Sequence, residues 1–187
     1  MIGWIVAALV SMILLGCLLF AIVRVGGQTM NQLSENRERT SSKRNLERIA
    51  DALNAYAADH GAYPPPMTVD ANKKPMHSWR VLILPYLGED DLYNRFDLEK
   101  PWDDQENLSF VKDVPLVYQH PNGSANSLFN RSGYFMITGQ GTLFPGTGAL
   151  GPDQISDDPS QTILVAEGVP VVPSGYWTEP VDLSFSA

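Results

Sequence analysis

The chain has 187 residues and a formal charge of −8, from 13 basic and 21 acidic side chains. That length fits one domain with a core and an appendage, and excludes two full catalytic domains. A single Cys excludes an internal disulfide and a Cys-based zinc cluster, and the acidic balance argues against nucleic acid as a partner.

The charge is unevenly spread. Residues 1–48 sum to +3 and residues 49–187 to −11, and nothing after Arg131 is Lys or Arg. The stretch Ile2 to Val23 carries no charged side chain. As a helix it is roughly 33 Å long, enough to cross a ~30 Å hydrocarbon core. Residues 1–25 therefore read as a transmembrane anchor ended by Arg24, with membrane lipid as its partner. A cleaved secretory signal is the second reading, disfavoured because no basic residue precedes the apolar run. A lipoprotein signal at Leu14-Leu15-Gly16-Cys17 is the third, disfavoured because the run stays apolar beyond Cys17. The basic residues that follow the span, Arg24 to Arg48, place the large domain in the cytoplasm by the positive-inside rule.

Gly26-Gly27 interrupts the apolar run, and residues 26–41 read as a polar connector or stem. An amphipathic stem helix follows, with Ser41 or Ser42 as N-cap and Gly61 just beyond its end. Leu46, Ile49, Ala50, Leu53, Tyr56 and Ala57 fall on one stripe of it, the pattern of a helix laid on a sheet. Residues 42–187 read as the globular domain. Within it, Trp79 to Tyr86 predicts a helix broken at Pro85, and Leu92 to Phe96 a second short one. Val114 to His120, Gly133 to Thr138 and Thr162 to Glu167 predict strands. Helices followed by strands give an α+β fold with a small antiparallel sheet.

No catalytic constellation emerges. Gly146 to Gly151 spells G-x-G-x-x-G, but Pro145 and Pro152 flank it and no βαβ unit surrounds it, so it reads as a surface loop. His60, His77 and His120 lack the spacing of a zinc site. The acidic residues Asp153, Asp157 and Asp158 have turn-like spacing that could partly supply the oxygen ligands of calcium; solvated turn carboxylates are the competing reading. No other cofactor is expected.

From the stem helix onward the chain resembles a bacterial family abundant in planctomycetes, the domain of unknown function 1559. The resemblance is carried by Asn45-Leu46 through Ala57, His60-Gly61-Ala62-Tyr63-Pro64-Pro65, Ser78-Trp79-Arg80-Val81-Leu82 and Pro101-Trp102-Asp103. Thr162-Ile163-Leu164-Val165 with Glu167, and Trp177-Thr178-Glu179-Pro180 with Asp182-Leu183, continue it. That family is similar to type II secretion pseudopilins and type IV pilins. The resemblance implies a pilin-like fold, a long N-terminal helix on an antiparallel sheet, with no catalysis. It also implies a structural or assembly role in a pseudopilus or secretion-like system of the cell envelope, alongside other pilin-like subunits. It places the globular domain outside the cytoplasmic membrane, against the flanking charges. The chain departs from the prepilin pattern at Ala8, where a Glu is usual, which favours an alternative, a membrane-anchored extracytoplasmic binding or sensor module that does not polymerise. Where family members often carry a pair of Cys, this chain has Ser42 and His120, so the resemblance implies a disulfide replaced as a unit.

Overall fold

The computed structural model describes residues 2–121, 130–156, 158, 161–168 and 175–185; in the first helix, the side chains of 2–11, 13, 14, 18, 21–23, 25, 26 and 28 are not described. The expected span at Ile2 to Val23 therefore falls largely outside the described side chains. Among the described residues no helix is long and apolar enough to cross a membrane. Two compact units divide the chain, Met1–Thr40 and Ser41–Ala187.

Helix α1 runs Ile2–His60 without a break. This is the long N-terminal helix that the resemblance implies; it corrects only the expected N-cap at Ser41 or Ser42. A Gly in a helix costs only about 1 kcal/mol relative to Ala, and restarting a helix costs a new nucleus. The polar stretch also satisfies itself locally: Ser34 Oγ donates to Glu38 Oε1 at 3.2 Å, and Thr40 Oγ1 to the Asn36 carbonyl at 2.8 Å.

The second unit holds the core. Its part of α1 buries Ile49, Ala52, Leu53 and Ala57, while Leu46 and Tyr56 pack at the margin. Burial of Ile49 and Leu53 contributes roughly 1.5–3 kcal/mol each. The helix ends as the sequence suggests. Gly61 adopts φ +77°, and its N–H bonds the Ala57 carbonyl at 2.8 Å. Gly151 approaches this end so closely that a Cβ there would lie 2.5 Å from the Gly61 carbonyl oxygen.

Beyond the helix, β1 (Met67–Val69) and β2 (Pro75–Ser78) form an antiparallel hairpin that the sequence reading did not anticipate. Its turn is organised by Asp70, whose Oδ1 accepts from the N–H groups of Asn72 and Lys74, with Lys73 at φ +63°. Helix α2 (Trp79–Leu82) is N-capped by Ser78, and a 3-10 turn at Pro85–Leu87 follows, as Pro85 requires. Helices α3 (Asp90–Tyr93) and α4 (Gln105–Leu108) are single turns.

The strand expected at Val114 to His120 is instead a 3-10 turn at Leu116–Tyr118. Pro115 sets the bend, and the Tyr118 N–H closes on its carbonyl at 3.0 Å. Val117 and Tyr118 turn inward, and Leu116 is left 77% exposed. Strands β3 (Tyr134–Thr138) and β4 (Val165–Glu167) form where expected, β4 at the end of the anticipated stretch. They pair antiparallel, but β5 (Leu183–Ser184) joins the other side of β3 in parallel, so the three-stranded sheet is mixed, in the order β4-β3-β5. The fold is α+β, with the sheet corrected from antiparallel to mixed. A strand arriving from residues 175–185 can enter beside β3 from either direction, and local pattern does not fix which.

His77 is 2% exposed, and its ring nitrogens make no hydrogen bond among the described residues. Burial lowers its pKa, against the pull of the Lys100, Leu98 and Asp97 carbonyls nearby. As pH falls below the ordinary His value of about 6.5, the unfolded chain takes up the proton first. His77 thus contributes stability that is complete above about pH 6.5 and is lost as pH falls toward its depressed folded value. In His77→Gln, the decline of the unfolding midpoint between about pH 7.5 and pH 5 should be shallower than in the parent. An equal decline would remove His77 as its source.

Candidate functional site

Two polar constructions hold the second unit together, and both join segments far apart in sequence. The first lies in the core. Arg80, on α2, is 1% exposed, and its guanidinium lies between the rings of Trp79 and Phe135, 4.6 and 5.1 Å from their centroids. Its Nε and Nη2 donate to the Tyr134 carbonyl at 3.1 and 2.7 Å, and Nη1 to Ser78 Oγ at 2.9 Å. Nη2 also reaches the Val181 carbonyl at 3.2 Å and Asp182 Oδ1 at 3.0 Å. Asp182 Oδ1 further accepts from Trp79 Nε1 at 3.0 Å and from the Met136 N–H at 2.9 Å. Burial raises the Asp182 pKa, and Arg80 and these donors oppose the rise. The arrangement pins α2, β3 and the β5 segment to one another.

The second construction ties α1 to the sheet. Ser42, expected as a helix cap, instead donates to Glu167 Oε2 at 2.5 Å. His120 Nε2 lies 3.0 Å from Glu167 Oε1. One turn along α1, Asn45 Nδ2 donates to the Tyr134 hydroxyl at 3.1 Å and lies 3.5 Å from the Gln119 carbonyl. Tyr134 is buried, and burial raises its pKa. The paired positions implied by the resemblance, Ser42 and His120, are therefore brought to one place and joined there through a carboxylate. Glu167 is the member that sequence reasoning missed. It closes β4, and its register on β3, opposite Tyr134, brings it to the helix.

The Ser42 hydroxyl donates directly to the Glu167 carboxylate, which differs from the Ser-His-Asp order, where the hydroxyl donates to an imidazole. The arrangement joins α1 to β4 and to His120. Glu167→Leu leaves both Ser42 and His120 without this partner and should cost about 1–3 kcal/mol in denaturant unfolding. Ser42→Ala in the Glu167→Leu background should then add little, because the shared interaction is already gone. Full additivity of the two changes would separate Ser42 from Glu167.

Of the three residues expected to supply calcium ligands, two lie among the described residues. Asp153 lies exposed in the 3-10 turn Pro152–Gln154, and Asp158 is exposed, its carbonyl accepting from the Gln161 N–H at 2.8 Å. Asp157 lies outside the described residues. Among the described residues, no three His, Cys, Asp or Glu side chains could together hold a metal ion. The Gly146–Gly151 stretch is a loop, as expected, with the Leu150 N–H bonded to the Leu143 carbonyl at 3.0 Å. His60 stacks on Tyr56 with centroids 4.0 Å apart, far in sequence from the other two His.

A small α+β domain opened by a long helix and tied by buried polar pins defines the class. The chain belongs to the family described as protein of unknown function (DUF1559), whose model matches residues 35–141. The match takes in the hairpin, Arg80 and both Ser42 and His120, while Glu167, Trp177 and Asp182 lie beyond it. No curated protein and no solved structure matches the chain.

Proposed function

We propose that this is a non-enzymatic, membrane-anchored protein of pilin-like architecture, with a structural or assembly role in the cell envelope. The observation that supports it most is α1 itself, whose sequence opens with 22 residues free of charged side chains, Ile2 to Val23, and whose later turns carry Ile49, Leu53 and Ala57 into the domain core. In this reading residues 1–25 anchor the protein in lipid as a single pass, and the globular domain lies outside the cytoplasmic membrane. Both polar pins fit a part that bears load instead of turning over substrate.

The test is a pair of fusions after Ala187. Alkaline phosphatase, which is active only outside the cytoplasm, should be active there, and a reporter active only in the cytoplasm should be silent. The reverse pattern overturns the orientation, and recovery of the full chain in the carbonate-washed soluble fraction overturns the anchor. The second reading, a binding or sensor module that does not polymerise, is favoured by Ala8. Crosslinking in membranes separates the two: a ladder of like subunits supports assembly, and a monomer with one different partner supports the module.

A further inference from the structure

A groove of about 380 Å³ opens between α3 and the 3-10 turn at Leu116–Tyr118. Its floor is apolar, formed by Leu92 from α3 and by Val114, Pro115 and Leu116. Leu116 is 77% exposed, more than any other large hydrophobic side chain described. The rim is acidic. Glu89 and Asp91 line the groove and form no ion pair among the described residues. Arg95, also in the lining, is already committed. Its Nη2 lies 2.7 Å from Asp113 Oδ2, and its guanidinium lies 4.3 Å from the centroid of the Phe110 ring.

Hydrocarbon below carboxylates suits a long cationic side chain, which covers the floor with its stem and keeps its charged head at the rim. The chain carries such side chains itself. Arg44 and Arg48 are exposed on α1, four residues apart and so neighbours on its surface. Lys43 beside them is paired with Glu47 at 3.7 Å, whereas Arg44 and Arg48 form no ion pair among the described residues.

The charge of the whole chain selects the same occupant. Residues 1–48 sum to +3 and residues 49–187 to −11. Two copies therefore repel where their acidic parts meet, and attract where the basic turns of α1 on one meet the acidic part of the other. We propose that the groove receives Arg44 and Arg48 of a second copy of this chain, with their stems over Leu116 and their guanidinium groups paired to Glu89 and Asp91. Each copy carries both halves of the contact. The inference rests on the assembly reading of the proposed function and gives that assembly a defined contact.

Sedimentation velocity of the full chain in a non-ionic detergent tests this by charge reversal. The wild type should self-associate, and do so about tenfold more weakly in 0.5 M than in 0.05 M salt. Arg44→Glu with Arg48→Glu, and separately Glu89→Lys with Asp91→Lys, should each weaken association by about tenfold or more. Mixing the two double variants should restore it, because each then meets its opposite charge on the other, and restoration also shows that both are folded. The milder pair Arg44→Gln with Arg48→Gln should weaken association in the same direction. Lys73→Glu with Lys74→Glu, exposed on the hairpin turn, makes the same change in net charge as the arginine reversal and should leave association unchanged. The inference is overturned if the reversals leave association unchanged, if the mixture stays dissociated, or if the hairpin control weakens it equally. In those three outcomes the wild type still associates, so the assembly reading stands and its contact lies elsewhere. A wild type that stays monomeric up to about 0.1 mM, including one that takes a foreign basic partner instead, overturns the inference; the membrane crosslinking described above then decides the assembly reading separately.

Discussion

Replacing Arg80 by methionine should lower the unfolding free energy by about 3–5 kcal/mol, because Asp182 is then left as a buried carboxylate without its cation. The side chains of the pair are 1% and 5% exposed, so water cannot take the place of the missing partner. The Tyr134 carbonyl also loses both of its guanidinium donors. Arg80→Met combined with Asp182→Leu removes both charges, and should recover a substantial part of the loss. Denaturant unfolding of the full chain measures both. A single-variant loss below about 1 kcal/mol would show that the pair is not the pin described here.

Trp177→Ala should be of similar size, about 3–5 kcal/mol. The indole is fully buried, lies against Tyr118 with centroids 5.8 Å apart, and meets the edge of Phe96 at 5.9 Å. Its Nε1 donates to the Val111 carbonyl at 3.0 Å. Trp177→Phe keeps much of the apolar contact but loses that hydrogen bond, and should fall between the parent and the alanine variant. A Trp177→Ala chain that unfolds at the parent midpoint would place residue 177 outside the cooperative core.

The parts of the fold that could be read in the sequence are those governed by a local period. The stripe from Leu46 to Ala57, the stop at Gly61 and the strand at Tyr134–Thr138 each follow from spacing and from residues whose backbone preferences are strong. The 3-10 turn at Leu116–Tyr118 was misread because a short apolar run suits a strand equally well, and only Pro115 spoke against it. The hairpin around Asp70 was missed because its strands are short and partly polar, with a Pro in the second. Both polar constructions were hidden for a different reason. Arg80 and Asp182 look like surface residues in a sequence, and only their tertiary partners make their burial tolerable. Ser42 and His120 could be linked in advance only through the family resemblance. Glu167, the residue that joins them, belongs to a block of the resemblance, but its neighbours in sequence do not signal that role.

The segment at residues 175–185 has a consequence for the order in which the domain forms. It supplies Trp177 to the aromatic stack, Asp182 to the buried cation and β5 to the sheet. Until it arrives, Arg80 has no counter-charge, one side of β3 is unpaired, and the space between Tyr118 and Phe96 is unfilled. Arg80 and Asp182 are separated by 102 residues, so closing this contact carries the entropy of a long loop. A chain emerging from its N-terminus therefore holds an incomplete core until residues 175–185 are available. The second unit is therefore expected to unfold as one cooperative body only when residues 175–185 are docked.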